Sequence, residues 1–195
     1  MIIGLTGPTG SGKSTASRIA EQLSFKVIDC DFLARKAVEK GTDGLSALVS
    51  AFGSDILNPD GSLCRKALAK KAFSSPQNTK LLNETLLPHI SALVKQEAVG
   101  DKVLLDAPTL YESGLDSECS FTVAVLADLE LRLNRIMKRD SLNEADALLR
   151  INAGKMDDFY NERADYIIYN NGDEDKFIAE FKEILNNRSE FYGRE

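Results

Sequence analysis

A glycine-rich segment near the start of the chain carries residue types that bind phosphate. Residues 7–15 read Gly-Pro-Thr-Gly-Ser-Gly-Lys-Ser-Thr, the Gly-x-x-x-x-Gly-Lys-Ser spacing of a P-loop. Its glycines allow the loop to curl so that N–H groups point at phosphate oxygens. We expect Lys13 to reach the β- and γ-phosphates and the Ser14 hydroxyl to bind Mg²⁺. The pattern predicts a nucleoside triphosphate site formed by Gly7, Pro8, Thr9, Gly10, Ser11, Gly12, Lys13, Ser14 and Thr15.

The residues on either side of this segment fit the strand and the helix that a P-loop needs. Residues 1–6 are a short apolar run, which predicts a buried strand, and residues 16–23 have apolar residues at helical spacing. Strand patterns then alternate with helical patterns and lie at 25–31, 102–106, 121–127 and 164–169. This alternation predicts an α/β fold of the P-loop NTPase type, with three α/β/α layers and a parallel sheet of about five strands.

Three aspartates stand at predicted strand ends, where ligands lie in open α/β sheets. Asp29 and Asp31 end the second strand, and an extended end would place both on one side. We interpret Asp29 as a structural residue that also caps the next helix, and Asp31 as the residue that faces substrate. A carboxylate at that place accepts the proton of an attacking hydroxyl or helps to hold the metal. Asp106 ends the third strand and is assigned to Mg²⁺, directly or through water.

Two helical regions interrupt the strands. In the first, residues 32–100, Arg65 is the cation that we assign to a substrate phosphate, and Pro88 predicts a kink in a long helix. In the second, residues 129–158, two arginine-rich helices flank a short break, and Ser-Leu-Asn-Glu at 141–144 reads as a capping box. We interpret this pair of helices as a mobile lid whose cations, Arg139 and Arg150, neutralise phosphate charge.

The last predicted strand ends at an Asn-Asn-Gly turn. Asn170, Asn171 and Gly172 could place amide groups near an adenine edge, although Asn-Gly is also a common turn. A closing amphipathic helix is predicted over 173–187, and residues 188–195 are expected to fray.

Composition excludes several classes of protein. The 195 residues suit one domain, and the net charge of −6 argues against broad binding to nucleic acid. No apolar stretch approaches the 18 residues of a membrane span, and the first residues read as a core strand rather than a signal peptide. The odd number of cysteines, with no two close together in the sequence, fits reduced thiols in a cytosol; they are Cys30, Cys64 and Cys119. We expect small-molecule substrates, with no nucleic acid, membrane or obligatory protein partner.

Two further segments are more specific to one family of proteins than the P-loop is. Residues 27–35 read Val-Ile-Asp-Cys-Asp-Phe-Leu-Ala-Arg, and residues 105–115 read Leu-Asp-Ala-Pro-Thr-Leu-Tyr-Glu-Ser-Gly-Leu. Together with the P-loop and with residues 59–68, 135–140 and 164–172, they resemble the dephospho-CoA kinase family over nearly the full length of the chain.

The resemblance implies transfer of the ATP γ-phosphate to the ribose 3′-hydroxyl of dephospho-CoA, the last step of coenzyme A synthesis, with Mg²⁺ as cofactor. It implies Asp31 as the base, Arg139 in the lid chemistry, and residues 170–172 beside the adenine of ATP. It further implies that substrate contacts come from Arg35, Arg65, Tyr111 and Glu112. A single kinase domain would contain a core (about 1–31, 101–128 and 159–190), a helical substrate region (about 32–100) and a lid (about 129–158).

A few positions depart from the usual pattern of that family. Pro8 and Thr9 replace Gly-Ile, Tyr111 stands where Phe is usual, and the Gln that usually precedes Met156 is missing. The nearest alternative is another P-loop kinase of small metabolites, such as a nucleoside or nucleotide kinase. A nucleotide-binding switch protein is disfavoured because the chain contains no guanine-reading Asn-Lys-x-Asp stretch.

Overall fold

Five strands form one sheet in the computed structural model, which describes the backbone of residues 1–192 and the side chains of residues 1–186. The strands are β1 (Ile2–Thr6), β2 (Lys26–Asp29), β3 (Val103–Asp106), β4 (Phe121–Leu126) and β5 (Tyr166–Tyr169). Their order is β2-β3-β1-β4-β5, and β1 pairs in parallel with β3 and with β4, as β4 does with β5. The central strand is therefore β1, and the P-loop leaves its carboxyl end. The predicted α/β class with about five strands is confirmed.

Ten helices accompany the sheet in the part of the chain that is described. They are α1 (Lys13–Gln22), α2 (Cys30–Lys36), α3 (Asp43–Phe52), α4 (Arg65–Ala72), α5 (Pro76–Glu97), α6 (Leu110–Ser113), α7 (Leu129–Asp140), α8 (Glu144–Asn152), α9 (Asp157–Asn161) and α10 (Glu174–Tyr192). None of these helices combines the length and the apolar character that crossing a bilayer would require.

The chain divides into two compact units. The first comprises Met1–Ile28, Gly100–Leu110 and Cys119–Glu195, and the second comprises Asp29–Val99 and Tyr111–Glu118. In the first unit, alternate residues of β1, Ile3 and Leu5, are fully buried in a core that also contains Phe177 and Phe181 of α10. Because successive strand residues point to opposite faces, this alternation sets one face of the sheet against the apolar sides of α1 and α10.

The second unit is built around α5, which packs against α2, α3 and α4. Ser75 begins α5, because its side chain accepts a 3.1 Å hydrogen bond from the Asn78 N–H and Pro76 follows at the first helical position. The helix continues through Pro88 to Glu97. Its buried residues Ile90 and Val94 contribute to the apolar interior of this unit.

The structure corrects two boundaries that the sequence predicted. The second strand ends at Asp29 instead of residue 31, because the Asp29 side chain accepts a 3.0 Å hydrogen bond from the Phe32 N–H and thereby begins α2. Asp31 therefore lies in the first turn of a helix and not at an extended strand end. The predicted capping box at Ser141 is also wrong, since α8 begins at the side chain of Asn143, which accepts from the Asp146 N–H.

Other elements differ in extent. The predicted loop after Asp106 contains α6 and a 3₁₀ turn at Leu115–Glu118. The closing helix α10 extends beyond residue 187 to Tyr192. The last three residues of the tail that the sequence predicts to fray, 193–195, lie outside the described residues.

Candidate active site

The P-loop adopts a backbone that only glycine accepts at two of its positions. Gly7 and Gly12 have φ angles of 137° and 107°. A Cβ at Gly7 would collide with the Val125 carbonyl oxygen, and one at Gly12 would collide with the side-chain amide of Asn170. Gly7 and Gly12 thus allow positive φ angles, and their lack of a side chain allows neighbouring elements to approach the loop closely. The strand–loop–helix frame that the sequence predicts around the motif is present.

Lys13 is the first residue of α1, and its ammonium group lies across the loop. Nζ donates hydrogen bonds to the carbonyl oxygens of Gly7, at 2.6 Å, and of Pro8, at 3.5 Å. Ser14 follows in the first turn and is exposed. This arrangement holds a cation and a hydroxyl at the positive end of a ten-residue helix, where anions are favoured.

Two arginines of α7 donate hydrogen bonds to the backbone of the P-loop. The Arg132 Nε donates to the Thr9 carbonyl oxygen at 3.1 Å, and Nη1 of Arg135 donates to the carbonyl oxygens of Gly10, at 3.3 Å, and Ser11, at 3.2 Å. Three consecutive loop carbonyls are therefore satisfied by guanidinium groups. The predicted lid begins with a helix that is bonded directly to the P-loop.

Arg132 is almost completely buried, with 5% of its surface exposed. Burial lowers the pKa of its guanidinium, and the negative charge of Asp157 acts in the opposite direction. Its Nη1 lies 3.3 Å from Oδ1 of Asp157 at the start of α9. A buried charge is tolerated when it is paired and hydrogen-bonded, and Arg132 meets both conditions. It joins the P-loop to α9 through one side chain.

The Asn-Asn-Gly turn after β5 also contacts the loop. The buried Asn170 donates from Nδ2 to the Ser11 carbonyl oxygen at 3.0 Å, and its own backbone carbonyl accepts from Arg135 Nη2 at 2.9 Å. Asn171 exchanges two hydrogen bonds with Asp128, each of 2.9 Å. The side-chain amides of Asn170 and Asn171 thus hydrogen-bond to other residues of the protein. Gly172, with φ 104°, turns the chain toward α10.

Ser17 connects α1 to the end of β3. Its hydroxyl donates a 2.7 Å hydrogen bond to Oδ2 of Asp106, and Ser17 itself is buried. Ser14 lies three residues earlier, on the same face of α1. A half-buried carboxylate oriented by a donor, with a hydroxyl on the neighbouring helix turn, fits Mg²⁺, which binds few protein oxygens and keeps water and phosphate ligands. The described residues contain no group of three or more His, Cys, Asp or Glu that could hold a metal by themselves.

The two predicted lid arginines share one carboxylate. Arg139 donates from Nε and Nη2 to the two oxygens of Asp140 at 2.8 Å each, and Arg150 donates to Oδ2 of the same residue at 2.7 Å. The hydrogen bond from Arg139 is the main cause that lowers the pKa of Asp140, and the same bond raises the pKa of Arg139. Because α7 carries Arg139 and α8 carries Arg150, Asp140 joins the two helices.

In the second unit, Asp31 lines a cavity of about 390 Å³, hereafter the second-unit pocket. The pocket has a charged part, formed by Asp31, Arg35 and Arg65, and an apolar wall from α4 and α5 that includes Phe73 and Leu82. Asp31 and Arg35 are four residues apart on α2, so they share a helix face. The structure thus brings together three of the residues that the sequence assigns to substrate.

The other two predicted substrate residues, Tyr111 and Glu112, lie on α6. The Glu112 backbone carbonyl accepts a 2.6 Å hydrogen bond from Nδ2 of Asn83 on α5. Its side-chain Oε2 is buried and has no hydrogen-bond partner among the described residues. Neither residue lines the second-unit pocket.

Comparison with known proteins gives a consistent result. A family model described as dephospho-CoA kinase matches residues 1–176. A dephospho-CoA kinase of rice is 37% identical over 195 residues, covering 97% of this chain and 85% of that protein. One from Corynebacterium glutamicum is 40% identical over 189 residues, covering 94% of each.

Comparison with solved structures gives the same result as comparison of the sequences. The chain is similar to the protein TT1252 from Thermus thermophilus, with a TM-score of 0.76, 31% identity and coverage of 96% and 97% of the two chains. It is similar to the dephospho-CoA kinase from Campylobacter jejuni, with a TM-score of 0.65, 27% identity and 98% coverage of both chains. A shikimate kinase from Bacteroides thetaiotaomicron, 16% identical at a TM-score of 0.54, shares the fold alone. The extent of the family match and the identity to curated relatives show that the chain belongs to the dephospho-CoA kinase family.

Proposed function

We propose that the protein transfers the γ-phosphoryl group of ATP to the ribose 3′-hydroxyl of dephospho-CoA and releases coenzyme A and ADP. The observation that carries this proposal is a complete P-loop, with Lys13 in place, in a chain whose residues 1–176 match the dephospho-CoA kinase family. The P-loop supports ATP as the donor of the phosphoryl group, and the family match supports dephospho-CoA as the acceptor. Cytoplasmic location and a single kinase domain, with a helical substrate region over 32–100 and a lid over 129–158, belong to the same proposal.

Each predicted residue has a task in an in-line transfer. The 3′-hydroxyl oxygen forms a bond to the γ-phosphorus while the bond from that phosphorus to the β–γ bridging oxygen breaks, and the hydroxyl proton passes to the Asp31 carboxylate. Lys13 and the loop N–H groups stabilise charge on the phosphoryl oxygens, and Arg139 adds a second cation. Residues 170–172 lie beside the adenine of ATP in this proposal. Catalysis then rests on positioning and charge neutralisation.

The Ser14 hydroxyl and the Asp106 carboxylate would hold Mg²⁺. The ion supplies neutralisation of the β- and γ-phosphate oxygens when it is bound. The hydrogen bond from Ser17 supports this assignment, because second-sphere donors commonly orient carboxylates that bind metals.

The acceptor would be held by Arg35 and Arg65 together with Tyr111 and Glu112. Among residues 1–186 neither arginine takes part in an ion pair, so both are available to a diphosphate. The Glu112 Oε2, buried without a partner in the described part of the chain, supports a polar contact from substrate at that position.

The test is incubation of the protein with ATP, Mg²⁺ and dephospho-CoA, followed by mass spectrometry for coenzyme A and ADP. We expect both products from the wild type and none above background from Lys13→Ala. Asp31→Asn should lower kcat by about 100-fold or more. Asp43→Asn is the matched control, because Asp43 is also a carboxylate in the first turn of a helix of the second unit.

The outcomes separate the parts of the proposal. No coenzyme A from the wild type would overturn the assignment of the acceptor, and screening small metabolites for ADP release would then follow. Coenzyme A formation with near-normal turnover in Asp31→Asn would leave the kinase assignment standing and remove Asp31 as the base.

A further inference from the structure

Three arginines lie along one face of α7. Arg132, Arg135 and Arg139 follow the i, i+3, i+7 spacing of a single helix face. The first two donate hydrogen bonds to carbonyl oxygens of the P-loop, and Arg139 lies one turn further along, about 6 Å beyond Arg135 on the helix axis. Exposure rises in the same direction, from the buried Arg132 to the Arg139 side chain, which is 55% exposed. The face that contacts the P-loop thus carries, at its far end, an arginine that a ligand can reach.

Arg150 is linked to this face through Asp140. It belongs to the last turn of α8, and its Nη1 donates a 2.7 Å hydrogen bond to Oδ2 of Asp140, the one hydrogen bond that its side chain makes among residues 1–186. The same Oδ2 accepts a 2.8 Å hydrogen bond from Nη2 of Arg139. One carboxylate oxygen therefore joins the two guanidinium groups.

Apolar packing fixes the two helices that carry these residues. Ile136 of α7 forms a buried cluster with Ala147 and Ile151 of α8. Ile136 precedes Asp140 by about one helical turn, and the residue that follows Arg150 is Ile151. Since buried contacts hold the backbone of both helices, the packing places Arg150 beside Asp140 before any ligand binds.

The two arginines use Asp140 differently. Arg139 donates from Nε and Nη2 to both carboxylate oxygens, at 2.8 Å each, and this paired bond fixes the plane of its guanidinium. Its Nη1, on the opposite edge of the same plane, makes no hydrogen bond among residues 1–186. Arg150 donates from Nη1 alone. Arg139 is therefore an oriented cation with donors left for a ligand, and Arg150 is the residue that steadies the carboxylate that orients it.

We propose that Asp140 and Arg150 are positioning residues that hold the guanidinium of Arg139 toward the transferring phosphoryl group, and that Arg150 itself makes no contact with phosphate. The proposal rests on the proposed function, in which Arg139 is the second cation. It gives Arg150 a different task from the direct neutralisation of phosphate that the sequence pattern suggests. Arg150 orients the carboxylate, the carboxylate orients Arg139, and Arg139 stabilises charge on the phosphoryl oxygens.

The test is a set of double-mutant cycles on kcat at saturating ATP and dephospho-CoA. We expect Arg139→Gln to lower kcat by about 100-fold. Asp140→Asn and Arg150→Gln should each lower kcat by about 10- to 100-fold, because the cation at the phosphoryl group is displaced. The Kd for dephospho-CoA, measured by isothermal titration, should stay unchanged in all three variants.

The cycles distinguish positioning from contact. In the Asp140→Asn background, Arg150→Gln should change kcat by less than about 2-fold, because Arg150 acts only through that carboxylate. A direct contact between Arg150 and phosphate would instead cost the same factor whether or not the Asp140 carboxylate is present.

Conservative variants separate positioning from a loss of folding. Arg150→Lys keeps one charged donor for Asp140, so most of the kcat lost in Arg150→Gln should return. Arg139→Lys loses the planar fork and should stay close to Arg139→Gln. Lys138→Gln is the matched control, because it removes an exposed cation from the same turn of α7, and its kcat should be normal. All rates are compared well below the melting temperature of each variant.

A normal kcat in Arg139→Gln or Arg150→Gln, or an equal cost of Arg150→Gln with and without the Asp140 carboxylate, would overturn the proposal while the wild type still produces coenzyme A. Absence of coenzyme A from the wild type would overturn the proposed function and this inference together. Failure of the inference alone is thus distinguishable from failure of the activity.

Discussion

The hydroxyl of Ser17 donates a 2.7 Å hydrogen bond to Oδ2 of Asp106. Ser17 is on the helix that the P-loop begins, and Asp106 ends the strand next to β1. The bond therefore fixes a carboxylate of one element relative to the phosphate-binding helix of another. If Asp106 serves the metal, Ser17 sets its orientation.

Ser17→Ala should weaken the affinity for Mg²⁺ without removing nucleotide binding. Loss of a second-sphere donor typically lowers metal affinity by about 10-fold. We expect the Mg²⁺ concentration for half-maximal rate to rise accordingly. Affinity for ATP, titrated with and without Mg²⁺, should fall only when Mg²⁺ is present. Equal Mg²⁺ dependence in both proteins would show that Ser17 has a structural role alone.

Arg132→Gln should impair the ATP site and the fold together. Removing the guanidinium leaves the half-buried Thr9 carbonyl and the Asp157 carboxylate, which is 41% exposed, without their bonds to it, and a typical hydrogen bond contributes about 0.5–1.5 kcal/mol to the free energy of unfolding. We expect KM for ATP to rise several-fold while KM for dephospho-CoA is unchanged. Urea unfolding and two-substrate kinetics measure the two effects.

Arg132→Lys keeps the charge but loses the planar fork, so it should recover only part of the ATP affinity. Arg18→Gln, which removes an exposed arginine from α1, is the control. A normal KM for ATP in Arg132→Gln would show that the loop holds its conformation without this bond.

Asp140→Asn should reduce stability in a pH-dependent manner. The hydrogen bond from Arg139, followed by the charges of Arg139 and Arg150, holds the pKa of Asp140 below its ordinary value of 3.8. A depressed carboxyl pKa contributes stability above pH 3.8, and this contribution is lost as the pH falls through the folded-state value. The wild type should therefore exceed the variant at pH 7, and the difference should close below pH 3.8.

Urea unfolding at a series of pH values measures this difference. Asp158→Asn, at an exposed carboxylate of α9, is the control and should give no comparable difference. A stability gap for Asp140→Asn that stays constant down to pH 3 would argue against the ion pairs as its source.

Ser141→Gly should stabilise the protein. Ser141 ends α7 in the left-handed region, with φ 54°, a conformation that costs a residue with a Cβ about 1 kcal/mol and glycine almost nothing. For a chain of this length, that change raises the melting temperature by about 2–4 °C. Ser50→Gly inside α3 should have the opposite sign, because glycine destabilises a helix interior. Equal effects at both serines would contradict the argument.

Features that depend on neighbouring residues were predictable from the sequence. The P-loop, its strand and its helix follow from a spacing that local backbone chemistry requires. Asp29 was correctly expected to cap a helix. Asp31 was placed in the wrong element because the same cap ends the strand two residues earlier than the apolar pattern suggests.

Long-range contacts were not predictable in the same way. Arg132 bonds to Thr9, 123 residues earlier in the chain, and no local pattern identifies such a partner. The available signal was a pair of arginines at i and i+3 on an amphipathic helix, which resembles an ordinary solvated face. The capping box failed because Asn143 satisfies the helix start one residue before Glu144.

The bonds from Arg132, Arg135 and Asn170 to the P-loop carbonyls have a consequence for the thermodynamics of nucleotide binding. They are made entirely within the chain, so the loop is fixed without help from a ligand. A preorganised loop loses little conformational entropy on binding. The affinity for triphosphate therefore reflects charge and hydrogen-bond geometry, with little opposing entropy from loop ordering.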